Sequence, residues 1–212
     1  NRTLQSSRKV AKHFGIPEIF ENWEDIIFHD SIDAVCIGTW PYMHAPMTIA
    51  ALEAGKHVLC EARMALNSGE ASEMLEVSRM NPHLIAQIVP APLSNKFDPT
   101  ICQMISDGFI GDLITVDARI TTGTFLQPDT TLHWRQNRNL SGNNIMNMGI
   151  WYEIIMRWLG PVTSVQALGQ TIVKYRKDES GQRRACTIPD HVEILGAMAQ
   201  GGQLRLSVSS VT

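Results

Sequence analysis

The run Asp33-Ala34-Val35-Cys36-Ile37-Gly38-Thr39 is apolar almost throughout and closes on small residues, the pattern of a strand buried on both faces of a parallel sheet. Apolar positions then take a helical period through Met47, Ile49, Ala50, Leu52 and Ala54 as far as Gly55, and Lys56 to Cys60 supplies another short strand. A third cycle sets a helix from an Asn67 or Ser68 cap to Arg79 and a strand over Leu84 to Val89, before Pro90 and Pro92 break the pattern. Upstream, Asn1-Arg2-Thr3 reads as the tail of a strand entering a helix, Leu4 to Phe14, that Gly15-Ile16-Pro17 stops. Trp23 to His29 gives a short helix with Asn22 as its N-cap. Repeated strand and helix alternation predicts an α/β fold with a doubly wound parallel sheet. A chain that opens on the end of a strand is expected to start partway through its fold.

Beyond about Phe97 the pattern changes. A helix is expected over Asp98 to Ser106, a strand over Leu113 to Thr121, and then a polar stretch from Thr122 to Asn144, long enough to be functional. A helix over Ile145 to Leu159 leads to strands at Val162 to Ala167, Thr171 to Tyr175, His191 to Ala199 and Leu204 to Ser209, with turns at Glu179-Ser180-Gly181 and Gly201-Gly202. Short connections of this kind predict antiparallel pairing.

Composition narrows the function classes. Eighteen basic against 21 acidic residues leave a formal charge of -3, and without a basic stripe nucleic acid is not an expected partner. Hydrophobic residues at 44% and charged ones at 18% describe a folding chain. No apolar run approaches the roughly 18 residues of a spanning helix, and Asn1 to Val10 lacks the apolar centre of a signal peptide. Cys36, Cys60, Cys102 and Cys186 are widely spaced with no C-x-x-C pair, so no metal is expected and the thiols read as free in a reducing, cytoplasmic compartment.

The segment from Asp33 to Glu61, D-A-V-C-I-G-T-W-P-Y-M-H-A-P-M-T-I-A-A-L-E-A-G-K-H-V-L-C-E, closely resembles the central part of the glucose-fructose oxidoreductase and inositol dehydrogenase family, Gfo/Idh/MocA. Gly108-Phe109-Ile110-Gly111-Asp112-Leu113 matches that family's G-x-I-G-x-[LI] step into its second domain. His133-Trp134-Arg135 followed by Ser141-Gly142 resembles its W-R and glycine-rich loop. The resemblance spans nearly the whole chain. It implies a Rossmann-like doubly wound parallel sheet over residues 1–95, incomplete at its N-terminus, for NADP or NAD. An α+β domain over 96–212 would follow, its open, mainly antiparallel sheet forming a substrate wall and the interface of a homodimer or homotetramer.

The same resemblance assigns the site. Arg2 aligns with the end of the second Rossmann strand, where Asn-Arg leans towards NADP over NAD, against the plainer reading of a solvated terminus. Thr39, Trp40 and His44 occupy the family's T-P-N-x-x-H loop against the cofactor, with Trp40 and Pro41 replacing Pro and Asn; for His44, packing at the start of the following helix is the other reading. Glu61-Ala62-Arg63 stands in the E-K-P position, so Glu61 would hold the nicotinamide ribose while Ala62 has lost the lysine's role. Arg63 carries a permanent charge that orients an oxyanion or carboxylate but exchanges no proton at neutral pH. In the second motif Asn147 and Trp151 stand where the family has Asp and His, and neither transfers a proton near pH 7. The implied pocket gathers Trp134, Arg135, Asn147, Trp151, Tyr152 and Arg63, aromatic and donor groups suited to a sugar or sugar acid, with Trp134 and Arg135 also expected to bind the cofactor. His133 is the remaining proton-transfer candidate.

Two departures matter. The 212 residues contain no G-x-G-x-x-G turn, whose backbone amides would hold pyrophosphate, so the stretch is expected to be a fragment that does not hold a dinucleotide tightly by itself. The replaced lysine and histidine leave three readings open: an NAD(P)-dependent oxidoreductase acting on a sugar or polyol hydroxyl, a non-catalytic relative that binds a sugar derivative or nucleotide or serves as a scaffold, and a relative with altered chemistry such as an epimerase or lyase.

Overall fold

Thr3 lies in extended backbone and its hydroxyl accepts a hydrogen bond from Ser6 N (3.2 Å), which starts helix α1, Leu4–Phe14. Gly15 closes it at φ 67°, a left-handed conformation that glycine adopts without steric cost. The computed structural model describes residues 2–89, 96–143 and 148–212. The chain divides into two compact units, Asn1–Pro90 and Ala91–Thr212.

In the first unit α2, Trp23–Ile27, ends two residues before the expected His29, and the Asn22 side chain donates to Asp25 (3.3 Å) instead of capping the helix. Strand β1, Ala34–Ile37, is followed by a 3-10 turn over Pro41–Met43 and by α3, His44–Glu53. Strand β2, His57–Cys60, α4, Ser68–Met80, and β3, Ala86–Ile88, complete the unit. Asn67 caps α4 by accepting from Glu70 N (3.0 Å), and the Glu70 carboxylate accepts from Leu66 N (3.0 Å).

The three strands form a parallel sheet in the order β1-β2-β3, with Ala34 opposite His57 and Val58 opposite Ala86. Val35, Ile37, Val58 and Cys60 are buried with Ile27, Ala51, Leu52 and Met74 in one core. Burial on both faces, expected for β1, is not observed: Ala34 and Cys36 are exposed, as is Leu59 on β2. Both crossovers run in the same direction along the sheet, so right-handed connections put α3 and α4 on the same face. The opposite face of this unit is a shallow apolar groove that includes Cys36, Leu59, Ile85 and Gln87.

The second unit begins with α5, Asp98–Ser106, and β4, Thr115–Thr121. The stretch expected as a loop contains a 3-10 turn, Trp134–Gln136, and a one-turn helix α6, Arg138–Ser141. The described part of the next helix is α7, Met148–Leu159. Strands β5, Val162–Gln170, β6, Tyr175–Lys177, β7, Arg183–Ala185, β8, His191–Met198, and β9, Gln203–Ser209, follow.

Four strands make a sheet in the order β4-β9-β8-β5. β5, β8 and β9 pair antiparallel, while β4 pairs parallel to β9. The strand expected over Thr171 to Tyr175 is absent there. The Asp190 carboxylate accepts from Ile172 N (2.7 Å) and Val173 N (2.9 Å), which takes those amides out of any ladder. The chain turns, and β6 pairs with β7 as a separate hairpin. One face of the sheet packs Ile120, Met198, Leu204, Leu206 and Val208 against Ile155 and Leu159 of α7, with Ile105 of α5 alongside. Trp158 donates to Asp98 (2.8 Å) and ties the two helices together. The other face exposes Asp117, Arg205, Glu193, Leu195 and Leu168.

Candidate functional site

The register of β1 and β2 sets Ile37 opposite Cys60, so the loops leaving their carboxyl ends, residues 38–44 and 61–63, start side by side. The crevice beyond such ends is where open α/β sheets bind ligands. His44 joins the two loops. Its side chain is 1% exposed, with Nδ1 2.7 Å from the Arg63 carbonyl oxygen and Nε2 2.9 Å from that of Thr39. Of the two readings open in the sequence, packing at the head of α3 is the observed one, and the ring's polar atoms are spent on backbone. Thr39 is exposed, Trp40 half-buried, and the Arg2 guanidinium lies 4.7 Å above the Trp40 ring. Asn1 lies outside the described residues. Glu61 is exposed, and its Oε2 accepts from Ala62 N (3.1 Å). The Ala62–Arg63 peptide bond is cis and the Arg63 side chain is half-buried. Burial pushes the Cys60 thiol above its ordinary value, so it stays protonated at neutral pH.

In the second unit His133 is a helix cap. Its Nδ1 accepts from Arg135 N (3.2 Å), and its own amide donates to Gln136 Oε1 (3.0 Å), a reciprocal box at the head of the 3-10 turn. Burial, aided by the Arg135 charge, lowers its pKa below the ordinary 6.5. A neutral ring whose Nδ1 accepts carries its proton on Nε2, so while the cap holds, the remaining nitrogen donates. The ring stacks obliquely between Phe125 and Trp134, with centroids at 5.8 and 5.6 Å. The Arg135 guanidinium lies 4.3 Å over Trp134, half-buried itself, while Arg135 is exposed.

On α7, Trp151 is 36% exposed. Tyr152 is half-buried against the sheet core, and its hydroxyl accepts from Val162 N (3.3 Å), so that hydroxyl serves the fold. Asn147 lies outside the described residues. Sequence reasoning missed Arg176, 2% exposed on β6; an arginine in a short polar strand gives no sign that it is inward. Among the described residues no three His, Cys, Asp or Glu side chains gather as metal ligands, and no helix is long and apolar enough to cross a membrane.

Residues 1–86 match the model of an oxidoreductase family with an NAD-binding Rossmann fold, and residues 100–212 match the GFO/IDH/MocA C-terminal domain. The chain belongs to the Gfo/Idh/MocA family. Among Gfo/Idh/MocA relatives, an uncharacterized oxidoreductase of Synechocystis is 24% identical over 217 residues, covering 100% of this chain and 57% of its own length. Levoglucosan dehydrogenase of Pseudarthrobacter phenanthrenivorans is 30% identical over 186 residues, covering 82% of this chain and 45% of its own. The fold is that of an NAD binding oxidoreductase from Klebsiella pneumoniae (TM-score 0.85, 22% identity, 100% of this chain and 56% of that one). It is equally that of levoglucosan dehydrogenase in complex with NADH and L-sorbose (TM-score 0.84, 20% identity, 100% and 57%). The chain thus spans about half the length of the proteins it matches.

Proposed function

We propose that this chain is part of an NAD(P)-dependent oxidoreductase that moves a hydride to or from a hydroxyl carbon of a sugar, sugar acid or cyclic polyol. The observation that carries the reading is the ordered pair of family matches across both units. Solved relatives in complex with NADH and levoglucosan, or with NAD+ in an inositol dehydrogenase homolog from Azotobacter vinelandii, make NAD(H) the cofactor to test first. Arg2 is the group that would meet a 2′-phosphate, so NADPH is tested beside it.

The residues present fit the ribose and nicotinamide end of such a cofactor: an exposed carboxylate at Glu61, the Thr39 hydroxyl and the Trp40 ring. Nicotinamide, when bound, supplies the hydride chemistry. Glu61 Oε2 is oriented by Ala62 N, leaving Oε1 to accept from ribose hydroxyls. Thr39 and Arg63 are held at their backbone by His44. Arg63 and Arg135 bind and orient; permanently charged, they move no proton. His133 donates from Nε2 to a substrate hydroxyl, and water or a His133 released from its cap takes the proton. Trp134, Arg135 and Trp151 serve the sugar, with the Tyr152 ring contributing packing. Four unpaired cysteines support a reducing, cytoplasmic setting, and the open face of the second sheet supports a homodimer or homotetramer.

Titration of the full-length protein with NADH and NADPH, followed by nicotinamide fluorescence, tests the reading. Micromolar binding is expected, with Glu61→Gln weakening it about tenfold, or ~1.4 kcal/mol, and NAD+ reduction in a panel containing levoglucosan and inositol. Absence of binding by either nucleotide at millimolar concentration overturns it. A second reading, a non-catalytic sugar or nucleotide binder, is favoured by Ala62 and Trp151, which cannot exchange protons. Turnover that appears only in the Ala62→Lys, Trp151→His double variant supports that one instead.

A further inference from the structure

Arginine is almost never fully buried unless paired, yet Arg176 is 2% exposed and among the described residues no carboxylate lies within ion-pair distance of it. Its oxygen acceptors all belong to one segment. Nη2 donates to the Phe125 carbonyl, and Nη1 donates to the Gln127 carbonyl and the Thr130 hydroxyl, while Nε has no partner. The Cys186 thiol also pairs with Arg176; burial, with the nearby Asp190 charge, pushes that thiol up though the Arg176 charge pulls the other way, so, protonated, it is a neutral partner and no counter-ion. The buried charge is therefore met by the dipoles of a surface loop, which must curl around the guanidinium to deliver them.

That loop continues directly into His133-Trp134-Arg135. Leu132 N donates to the carbonyl of Lys177 (2.8 Å), the residue after Arg176, and the Arg138 guanidinium donates to Thr187 O (2.8 Å). Phe125 accepts from Arg176 and its ring stacks on His133. The β6–β7 hairpin is itself set by Asp190, which holds the preceding turn at Ile172 and Val173. We propose that Arg176 is a positioning residue: its fork of donors fixes the segment 125–132 and thereby the orientation of His133, Trp134 and Arg135 towards the sugar. A lysine in the same place is a point charge and cannot reach three acceptors in that geometry. The effect on sugar binding rests on the oxidoreductase reading; the locking of the loop does not.

The test is hydrogen exchange by mass spectrometry on the full-length protein with Arg176→Lys and, as a milder change that keeps the charge, Thr130→Val. Exchange over 125–133 is expected to speed up about tenfold or more in Arg176→Lys and by a few-fold in Thr130→Val, with α3 and β8 as protected as in the wild type. Half-saturation by levoglucosan is expected to rise about fivefold or more, and kcat to fall as the orientation of His133 loosens. Unchanged loop protection in Thr130→Val and in any folded Arg176→Lys overturns the proposal, and so does a loosened loop with unaltered half-saturation. If the wild type turns over no sugar, the oxidoreductase reading falls, and the exchange result alone decides whether Arg176 locks the loop.

Discussion

A neutral, capping His133 makes the loop sensitive to acid. Its folded pKa is lowered, so between the ordinary 6.5 and that lower value the unfolded loop takes up a proton that the folded one refuses. Stability is lost as pH falls through that window and is fully present above it. Protection over 133–137, relative to the intrinsic exchange rate at each pH, is expected to fall as pH drops below about 6.5, and His133→Asn, which retains a capping acceptor, is expected to flatten the dependence. An unchanged profile in the variant would place the titration elsewhere. His133, Trp134 and Arg135 stood out in the sequence as candidates because three adjacent residues carried a family pattern. The bridging role of His44 and the burial of Arg176 were not, because both depend on which carbonyls the chain brings to them from residues 19 and about 50 positions away.

At the level of elements, the turn between β8 and β9 is the most demanding. Gly201 and Gly202 both have positive φ, 96° and 83°, but they differ in their surroundings. A Cβ on Gly202 would lie 2.6 Å from Leu113 O and 3.1 Å from Ile114 O, where the chain enters β4, whereas one on Gly201 meets nothing within 4 Å. Gly201→Ala is expected to cost about 1 kcal/mol from backbone strain alone, and Gly202→Ala roughly 2–4 kcal/mol because the β4 entry must also move. Urea unfolding of the two variants checks this, and equal losses would mean that the approach to β4 carries no energy. The glycine pair was readable as a turn; the close approach was not, since it comes from a strand more than 80 residues earlier. Strand β1 shows the converse. Its apolar run gave the element and its parallel partners correctly but predicted cover on both faces, whereas the helices leave one bare.

On the open sheet face of the second unit Leu168 and Leu195 are 74% and 56% exposed, and they are where cover belongs in the proposed homo-oligomer. Light scattering is expected to give at least twice the chain mass, and Leu195→Asp to lower it towards that of a single chain; a monomeric wild type would remove the oligomer.

The groove over Cys36, Leu59 and Ile85 has a calorimetric consequence as well. Heat capacity rises on unfolding because apolar groups meet water for the first time. In these 212 residues by themselves the β1–β3 face is already wet, so fewer such groups are left to hydrate. Calorimetry of this stretch alone is expected to give an increment below the roughly 12–15 cal/mol/K per residue of ordinary domains, with a correspondingly flatter curve of stability against temperature.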